Sequence, residues 1–284
     1  MDRGDDCADQ PAIETVVRAH RALRDRTPLV QCLTNNVTVN LVANALLAAG
    51  ASPAMVDNPE EAGDFPAVAD AVLINLGTLA ADTVKAMRLA AAGARREGRP
   101  WVLDPIGAGA MMWRHRLALE LLEQRPTVIR GNASEIIGLS GREGGGRGVD
   151  SGRSPQDSLE AACELLDSAA AISASGPTDS LVGHEAQSGA TMQIDVGGGS
   201  AWQPRVSGTG CALGAIVAAY CAVVDEPLYA ATAAHVHVAV AAELAEQRVD
   251  GPGSFATAWL DALDRVDETT LRQRGLIAMR RLAS

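Results

Sequence analysis

The stretch AVLINLGTLAADTVKAMRLAAAGARREGRPWVLDP, residues 71–105, decides the fold class. It opens on a continuous apolar run, AVLINLGT (71–78). An Ala-rich segment of helical character follows (79–96), and then a second apolar run, PWVLDP (100–105). A strand that is apolar at successive positions has both faces buried, and two such strands joined by a helix form a parallel unit. The alternation continues outward. PTVIRGN (126–132) and AAISASG (170–176) are further strand-like runs, each ending in Gly, Asp, Pro or Asn like the first two. Helical stretches follow at 113–124, 133–140 and, after a longer loop, 211–224. The expected fold is therefore α/β, with helices covering both faces of a mostly parallel central sheet. In such sheets ligands bind at the carboxyl ends of the strands, which is where the polar and Gly residues of these runs fall.

The length of 284 residues suits one large domain, expected over 11–284 behind a disordered start at 1–10. Two polar, Gly- and Ser-rich regions, 141–157 and 184–204, read as surface loops, and 226–282 reads as helical, broken by DGPGSF (250–255). Hydrophobic residues make up 47% and aromatics only 3%, so the core must be built from Ala, Val, Leu and Ile. The net charge of −11 argues against a protein that tracks nucleic-acid phosphates. Five scattered cysteines with no CxxC pair read as reduced thiols, which points to a cytoplasmic protein. No run approaches the roughly 18 uninterrupted apolar residues of a membrane helix, and the acidic N-terminus is not a signal peptide, so no membrane partner is expected.

Two nucleotide motifs are excluded. The single lysine, Lys85, lies in an ordinary helical stretch with no glycine loop before it, so there is no P-loop. GTGCALG spaces its glycines as GxGxxxG and falls late in the chain, so the dinucleotide fingerprint fails as well. What RVSGTGCALGAIVAAY (205–220) does offer is local physics. Gly208 and Gly210 let backbone N–H groups converge, and the helix that follows adds free N–H groups and the positive end of its dipole. Cys211 on that first turn would have its thiol pKa lowered by the same field and could act as a base or nucleophile. A tight turn filled by a small buried cysteine explains the stretch equally well.

Two further strand ends bear on the choice. VLDPIGAGA (102–110) ends a strand with Asp104 before a glycine loop, and RGNASE (130–135) brings Arg130 and Glu135 to the next strand end and helix. Carboxylates that hold Mg²⁺ and an arginine that neutralises phosphate charge are the parts of a phosphoryl-transfer site. Alone, an Asp at a strand end is more often a helix cap.

These segments together resemble hydroxyethylthiazole kinase, a family of ribokinase-like enzymes in thiamine salvage. The matching segments span about 27–265: PLVQCLTNNVTVNLVANALLAAGASPAMVDNPEE (28–61), INLGTL (74–79), VLDPIGAGA, TVIRGNASEI (127–136), GVDS (148–151), SGTGCALGA (207–215) and GPGSF (251–255). The resemblance implies a single ribokinase-like domain of three α/β/α layers. It implies ATP-dependent phosphorylation of the primary hydroxyl of 4-methyl-5-(2-hydroxyethyl)thiazole, Mg²⁺, and a homotrimer with active sites between subunits. It places Cys211 at the catalytic base and Gly208, Thr209 and Gly210 at the anion hole. Asp104 and Glu135 fall at the metal positions, Arg130 and Ser175 at ATP contacts, and Asn35, Val37, Met55 and Gly208 around the thiazole. The sequence departs from the family pattern at Gln31 (usually His), Asn36 (often aromatic) and Ser175 (often Thr), the first two expected beside the thiazole. Competing readings keep the fold with another small vitamin-precursor alcohol, make it an ATP-dependent hydrate dehydratase, or make it a thiazole-binding protein without turnover.

Other features have plainer readings. Asn36, Asn40 and Asn44 lie four apart and suit a solvated helix face. His235 and His237 lie two apart on a helix, too divergent for a metal pair, and read as packing or interface residues. Cys32 reads as a small buried hydrophobe, and Met111, Met112 and Trp113 read as core or lid packing. LRQRGLIAMRRL (271–282) reads as a basic amphipathic surface helix.

Overall fold

The computed structural model describes residues 10–141, 155–186, 188–247 and 249–282. The chain runs α1 (Gln10–Arg26), β1 (Leu29–Leu33), α2 (Val39–Ala49), β2 (Ser52–Ala54), β3 (Ala71–Asn75), α3 (Ala81–Arg96), β4 (Trp101–Asp104), α4 (Met112–Leu122), β5 (Val128–Asn132), α5 (Ala133–Leu139), α6 (Pro155–Leu165) and β6 (Ala171–Ser175). It continues with β7 (Asp179–His184), β8 (Thr191–Val196), α7 (Thr209–Cys221), α8 (Pro227–Glu246), α9 (Pro252–Arg265), α10 (Glu268–Arg274) and β9 (Ile277–Arg281).

One nine-stranded sheet carries the order β2-β1-β3-β4-β5-β6-β7-β8-β9. Strands β2 through β6 pair in parallel, and β6 through β9 pair antiparallel. The apolar runs bury both faces by alternation. Ala71 and Leu73 of β3 face one core with α7 and α8, while Val72 and Ile74 face the other with α3. The same parity holds for Val102 against Trp101 and Leu103 on β4, and for Val128 against Ile129 on β5. The result is the expected three layers around a mostly parallel sheet.

Four expectations are corrected here. The region 184–204 is not one loop, because it carries strand β8 and closes a hairpin with β7. The tail 271–282 is not one amphipathic helix. Helix α10 ends at Arg274, where a side chain on Gly275 would come within 2.5 Å of Ile13 Cδ1, and the chain continues as β9, an edge strand on β8. Within 141–157, residues 155–157 begin α6; 142–154, including GVDS, lie outside the described residues, as do 1–9. Helix α8 has the length and apolar character of a membrane span, but most of it is buried inside the fold, as befits a core helix. Met111, Met112 and Trp113 are not core residues, since all three are exposed at the start of α4.

Candidate active site

Parity and register carry one polar row to one place. Asn75 ends β3 on the α7 side of the sheet, and it is level with Asp104 at the end of β4. Arg130 of β5 and Ser175 of β6 lie on the same side, two residues beyond Val128 and Ser173 respectively. Helix α7 starts directly above them. Its N-cap, Gly208, has φ +99°, a conformation open to glycine and strained for any side chain. A Cβ there would also sit 2.7 Å from Thr38 Cγ2, so the β1–α2 loop lies hard against the helix start. Gly210 lets the Arg130 guanidinium approach closely, since a Cβ there would fall 3.1 Å from Arg130 Nη1.

These residues form one hydrogen-bonded chain. Asn35 Nδ2 donates to Cys211 Sγ and to Asn75 Oδ1, each at 3.2 Å. Asn75 Oδ1 also accepts the N–H of Gly77 at 3.0 Å, and Asn75 Nδ2 donates to Asp104 Oδ2 at 2.9 Å. Arg130 Nη1 is 3.7 Å from the same Asp104 oxygen, and Arg130 Nη2 donates to Ser175 Oγ at 2.8 Å. The thiol, the carboxylate and the guanidinium are thus linked through two asparagines at the N-terminus of α7.

The electrostatics are those of an incomplete site. Asp104 is fully buried, and burial pushes its carboxyl up to about 7; Arg130 and the Asn75 hydrogen bond pull the other way, and Glu135 adds to the rise. Asp104 Oδ1 and Arg130 Nε are both buried without a partner. Buried polar atoms are nearly always paired, so an orphan oxygen beside an orphan guanidinium nitrogen marks a place for a cation and an anion. Glu135 is already in use. Its Oε2 accepts the N–H of Asn132 at 2.8 Å in a capping box at the start of α5, and its Oε1 accepts the N–H of Gly107 at 3.1 Å. Each carboxylate oxygen keeps a lone pair beyond those bonds. Among the described residues no cluster of three or more His, Cys, Asp and Glu forms a metal cage. Two carboxylates close enough for Glu135 to raise the Asp104 pKa are a donor set that suits Mg²⁺, which fills its shell with phosphate oxygens and water.

Cys211 departs from expectation. Burial, then the charge of Asp104, push its thiol above the ordinary 9.0, and the hydrogen bond from Asn35, with the polar side chains of Thr38 and Asn75 nearby, only opposes this. The helix field is present, but desolvation and a neighbouring carboxylate outweigh it.

Comparison with known proteins matches this geometry to a family. The Hydroxyethylthiazole kinase family model matches residues 21–269. A hydroxyethylthiazole kinase of Rhodococcus erythropolis is 53% identical over 270 residues, covering 95% of this chain and 96% of the relative. The chain belongs to the hydroxyethylthiazole kinase family. Among solved structures, a hydroxyethylthiazole kinase protein from Pyrococcus horikoshii superposes with TM-score 0.82 at 35% identity, covering 94% of this chain and 99% of that one. The pyridoxal kinase of Staphylococcus aureus, solved with AMP-PCP and pyridoxal, superposes with TM-score 0.62 at 15% identity over 89% of this chain and 98% of its own, a likeness of ribokinase-like fold. As a kinase, this family member uses ATP and a small-molecule acceptor.

The remaining residues now have places in this kinase. Asn35 reaches Cys211 on the first turn of α7, Gly208 caps that helix, and Thr209 hooks its hydroxyl to the carbonyls of Gln203 and Val206 at 2.9 and 3.3 Å. Val37, beside them, is 70% exposed, and Met55 is half-buried against the same core as Leu41 and Val206. Gln31 does not face this site. It lies on the other side of β1, fully buried, and its Nε2 donates to the carbonyls of Val56 and Ala62 at 3.0 and 3.1 Å. It therefore anchors the segment that follows Met55. Asn36 precedes α2 instead of joining a helical stripe, and its N–H donates to Thr78 Oγ1; Asn40 and Asn44 do share an exposed face. Cys32 is buried, and burial pushes its thiol to about 12. Sequence reading missed Asn75 and Thr38. Asn75 stood at the end of INLGTL, where an Asn also suits a simple turn, and only the register with Asp104 reveals its role.

Proposed function

We propose that this kinase transfers the γ-phosphoryl group of ATP to the primary hydroxyl of 4-methyl-5-(2-hydroxyethyl)thiazole. The observation that carries this reading is the Cys211–Asn35–Asn75–Asp104–Arg130 chain at the glycine-capped start of α7. Arg130, with Ser175, holds the phosphate charge, and the N–H groups of Gly208, Thr209 and Gly210 point with the α7 dipole at the transferred group. Asp104 and Glu135 would hold Mg²⁺, which would neutralise charge on the phosphates. Asn35 orients the Cys211 thiol, and the acceptor hydroxyl sits against Sγ. Phosphoryl transfer is loose, so little charge develops on that hydroxyl before the phosphorus arrives. At neutral pH the protonated thiol can therefore only position the hydroxyl; it is the small thiolate fraction that takes the hydroxyl's proton, late in the transfer, with charge neutralisation carrying most of the rate.

The relatives carry the thiazole in their names, which supports the same acceptor here. Asn35, Val37, Met55 and Gly208 are its proposed contacts. An exposed Val37, with exposed Val39 and Leu47 on α2, favours a site closed by a second subunit, and the assembly proposed from the family resemblance is a cytoplasmic homotrimer. Coupled ADP release with Mg-ATP tests the substrate, comparing hydroxyethylthiazole, hydroxymethylpyrimidine, pyridoxal and no acceptor. Turnover with the thiazole alone is expected; equal turnover with another acceptor overturns the assignment.

A further inference from the structure

Behind Ser175 lies a second polar chain that the phosphoryl-transfer residues do not use. Ser173 sits on β6 two positions before Ser175, on the same face, and pairs across the sheet with Arg130. Its Oγ is 2.6 Å from Nε2 of His235 on α8, and Nδ1 of that ring is 2.6 Å from Asp179 Oδ2. The second oxygen of Asp179 accepts the N–H of Gly176 at 2.9 Å. A carboxylate only accepts, so His235 Nδ1 carries a hydrogen, and in the neutral ring Nε2 accepts from the Ser173 hydroxyl.

Ser, His and Asp in this order make a hydrolytic triad where the serine is open to substrate. Here Ser173 and His235 are 0% and 1% exposed, so no substrate reaches the hydroxyl. The chain can transmit position but not chemistry. A histidine in the middle of a buried, largely apolar helix costs desolvation unless both ring nitrogens are paired, and both are paired here at short distance. Burial alone would push the Asp179 carboxyl up, yet His235, the Gly176 N–H and Arg130 together hold it below the usual carboxylate range. Asp179 therefore feels the same guanidinium that Ser175 touches.

We infer that Ser173, His235 and Asp179 are positioning residues that tie the β6–β7 turn to α8 and so fix Ser175 and Arg130 for the nucleotide phosphates. The chain runs from α8 through Asp179 to Gly176, the residue next to Ser175, and Ser175 in turn holds Arg130 Nη2. Its effect falls on the nucleotide and not on the acceptor, whose proposed contacts lie across the site at Asn35 and Gly208. The inference rests on the placement of ATP phosphates at Arg130 and Ser175.

The test is equilibrium binding of AMP-PCP by calorimetry, together with separate KM values for ATP and hydroxyethylthiazole, on the full chain. Asp179→Ala is expected to weaken AMP-PCP and raise the KM for ATP about tenfold, and Ser173→Ala a few fold, with the KM for hydroxyethylthiazole held within about twofold. Asp179→Asn, which keeps an acceptor for Gly176, is expected to recover much of the loss. Arg130→Ala separates the two readings. If it leaves AMP-PCP affinity intact, the placement of the phosphates fails. If it weakens AMP-PCP while folded Asp179→Ala and Ser173→Ala bind as wild type, the positioning inference is overturned. Equal loss of nucleotide and acceptor affinity overturns it too. Should Asp179→Ala not fold, Ser173→Ala and Asp179→Asn decide by the same criteria.

Discussion

Cys211 shows how a single residue can sit in the right place with an unhelpful pKa. The N-terminus of α7 favours a thiolate, but burial and Asp104 disfavour it more. Two outcomes follow for the proposed reaction. Cys211→Ala is expected to lower kcat by about 10- to 100-fold, and Arg130→Ala by about 10³-fold or more, because a loose transition state depends more on charge neutralisation than on a base. Steady-state kcat at saturating ATP measures this, and a Cys211→Ala enzyme with full kcat removes the thiol from the reaction. The pH profile separates the groups. In the metal-free site Asp104 loses its proton around pH 7, so Mg²⁺ binding is expected to strengthen as pH rises through that range in both proteins. The Cys211 thiol is raised above 9.0, so its anion accumulates only as pH climbs further, and that upper rise is expected in the wild type and absent in Cys211→Ala. The sequence showed Cys211, Asp104 and Arg130 because each is a chemically distinct residue at a strand end or glycine turn. It did not show Asn75, because an asparagine there satisfies local turn chemistry equally well, and its partner lies 29 residues further on.

At the scale of elements, two glycine contacts set how closely the site packs. At Gly210 an added methyl meets the Arg130 guanidinium at 3.1 Å, the end of a side chain that can move. Gly210→Ala is therefore expected to fold with a near-normal melting temperature and to lose activity by displacing Arg130; equal ATP affinity in variant and wild type would contradict it. At Gly138 the neighbour is backbone. A Cβ on that α5 residue would lie 2.7 Å from Gly109 Cα, and Gly109 has φ +84°. Neither side can yield, so Gly138→Ala is expected to lower stability by about 1–3 kcal/mol in denaturant titration, as overpacking does. The parallel half of the sheet was legible because β3, β4, β5 and β6 are continuous apolar runs, buried on both faces wherever they are placed. The antiparallel half was not. TMQIDV of β8 mixes polar and apolar residues, and β9 is a short segment that runs from buried Ile277 to exposed Arg280 and Arg281. Each becomes a strand through its neighbour, β9 on β8 and β8 on β7, and such pairing outweighs local propensity.

For the whole molecule, two buried histidines are expected to set the acid limit of the fold: His237, read from the sequence as a packing or interface residue, and His20, which the sequence did not single out. His237 on α8 bonds Tyr220 and the carbonyl of Leu263, each at 3.0 Å, and its ring meets His20 of α1 edge-on with centroids 4.9 Å apart. Burial lowers His20 from 6.5 to about 4 and His237 to about 3. The unfolded chain thus takes up protons below pH 6.5 that the folded chain refuses, so stability is lost as pH falls through that value. At pH 5 each ring costs on the order of 2 kcal/mol relative to pH 8. Asp104 works in the opposite sense, because its folded form holds a proton up to about 7 that the unfolded form releases near 3.8. One such group offsets part of the loss from two histidines, so a net fall in melting temperature from pH 7 to pH 5 is expected. His20→Phe isolates the cause. His20 Nε2 has no partner to lose, and a phenyl ring can keep the edge contact with His237. The variant is expected to melt higher than wild type at pH 5 and to show a shallower dependence on pH, read by calorimetry in matched buffers. Parallel pH curves for the two proteins would mean that the joint between α1 and α8 does not set the acid limit.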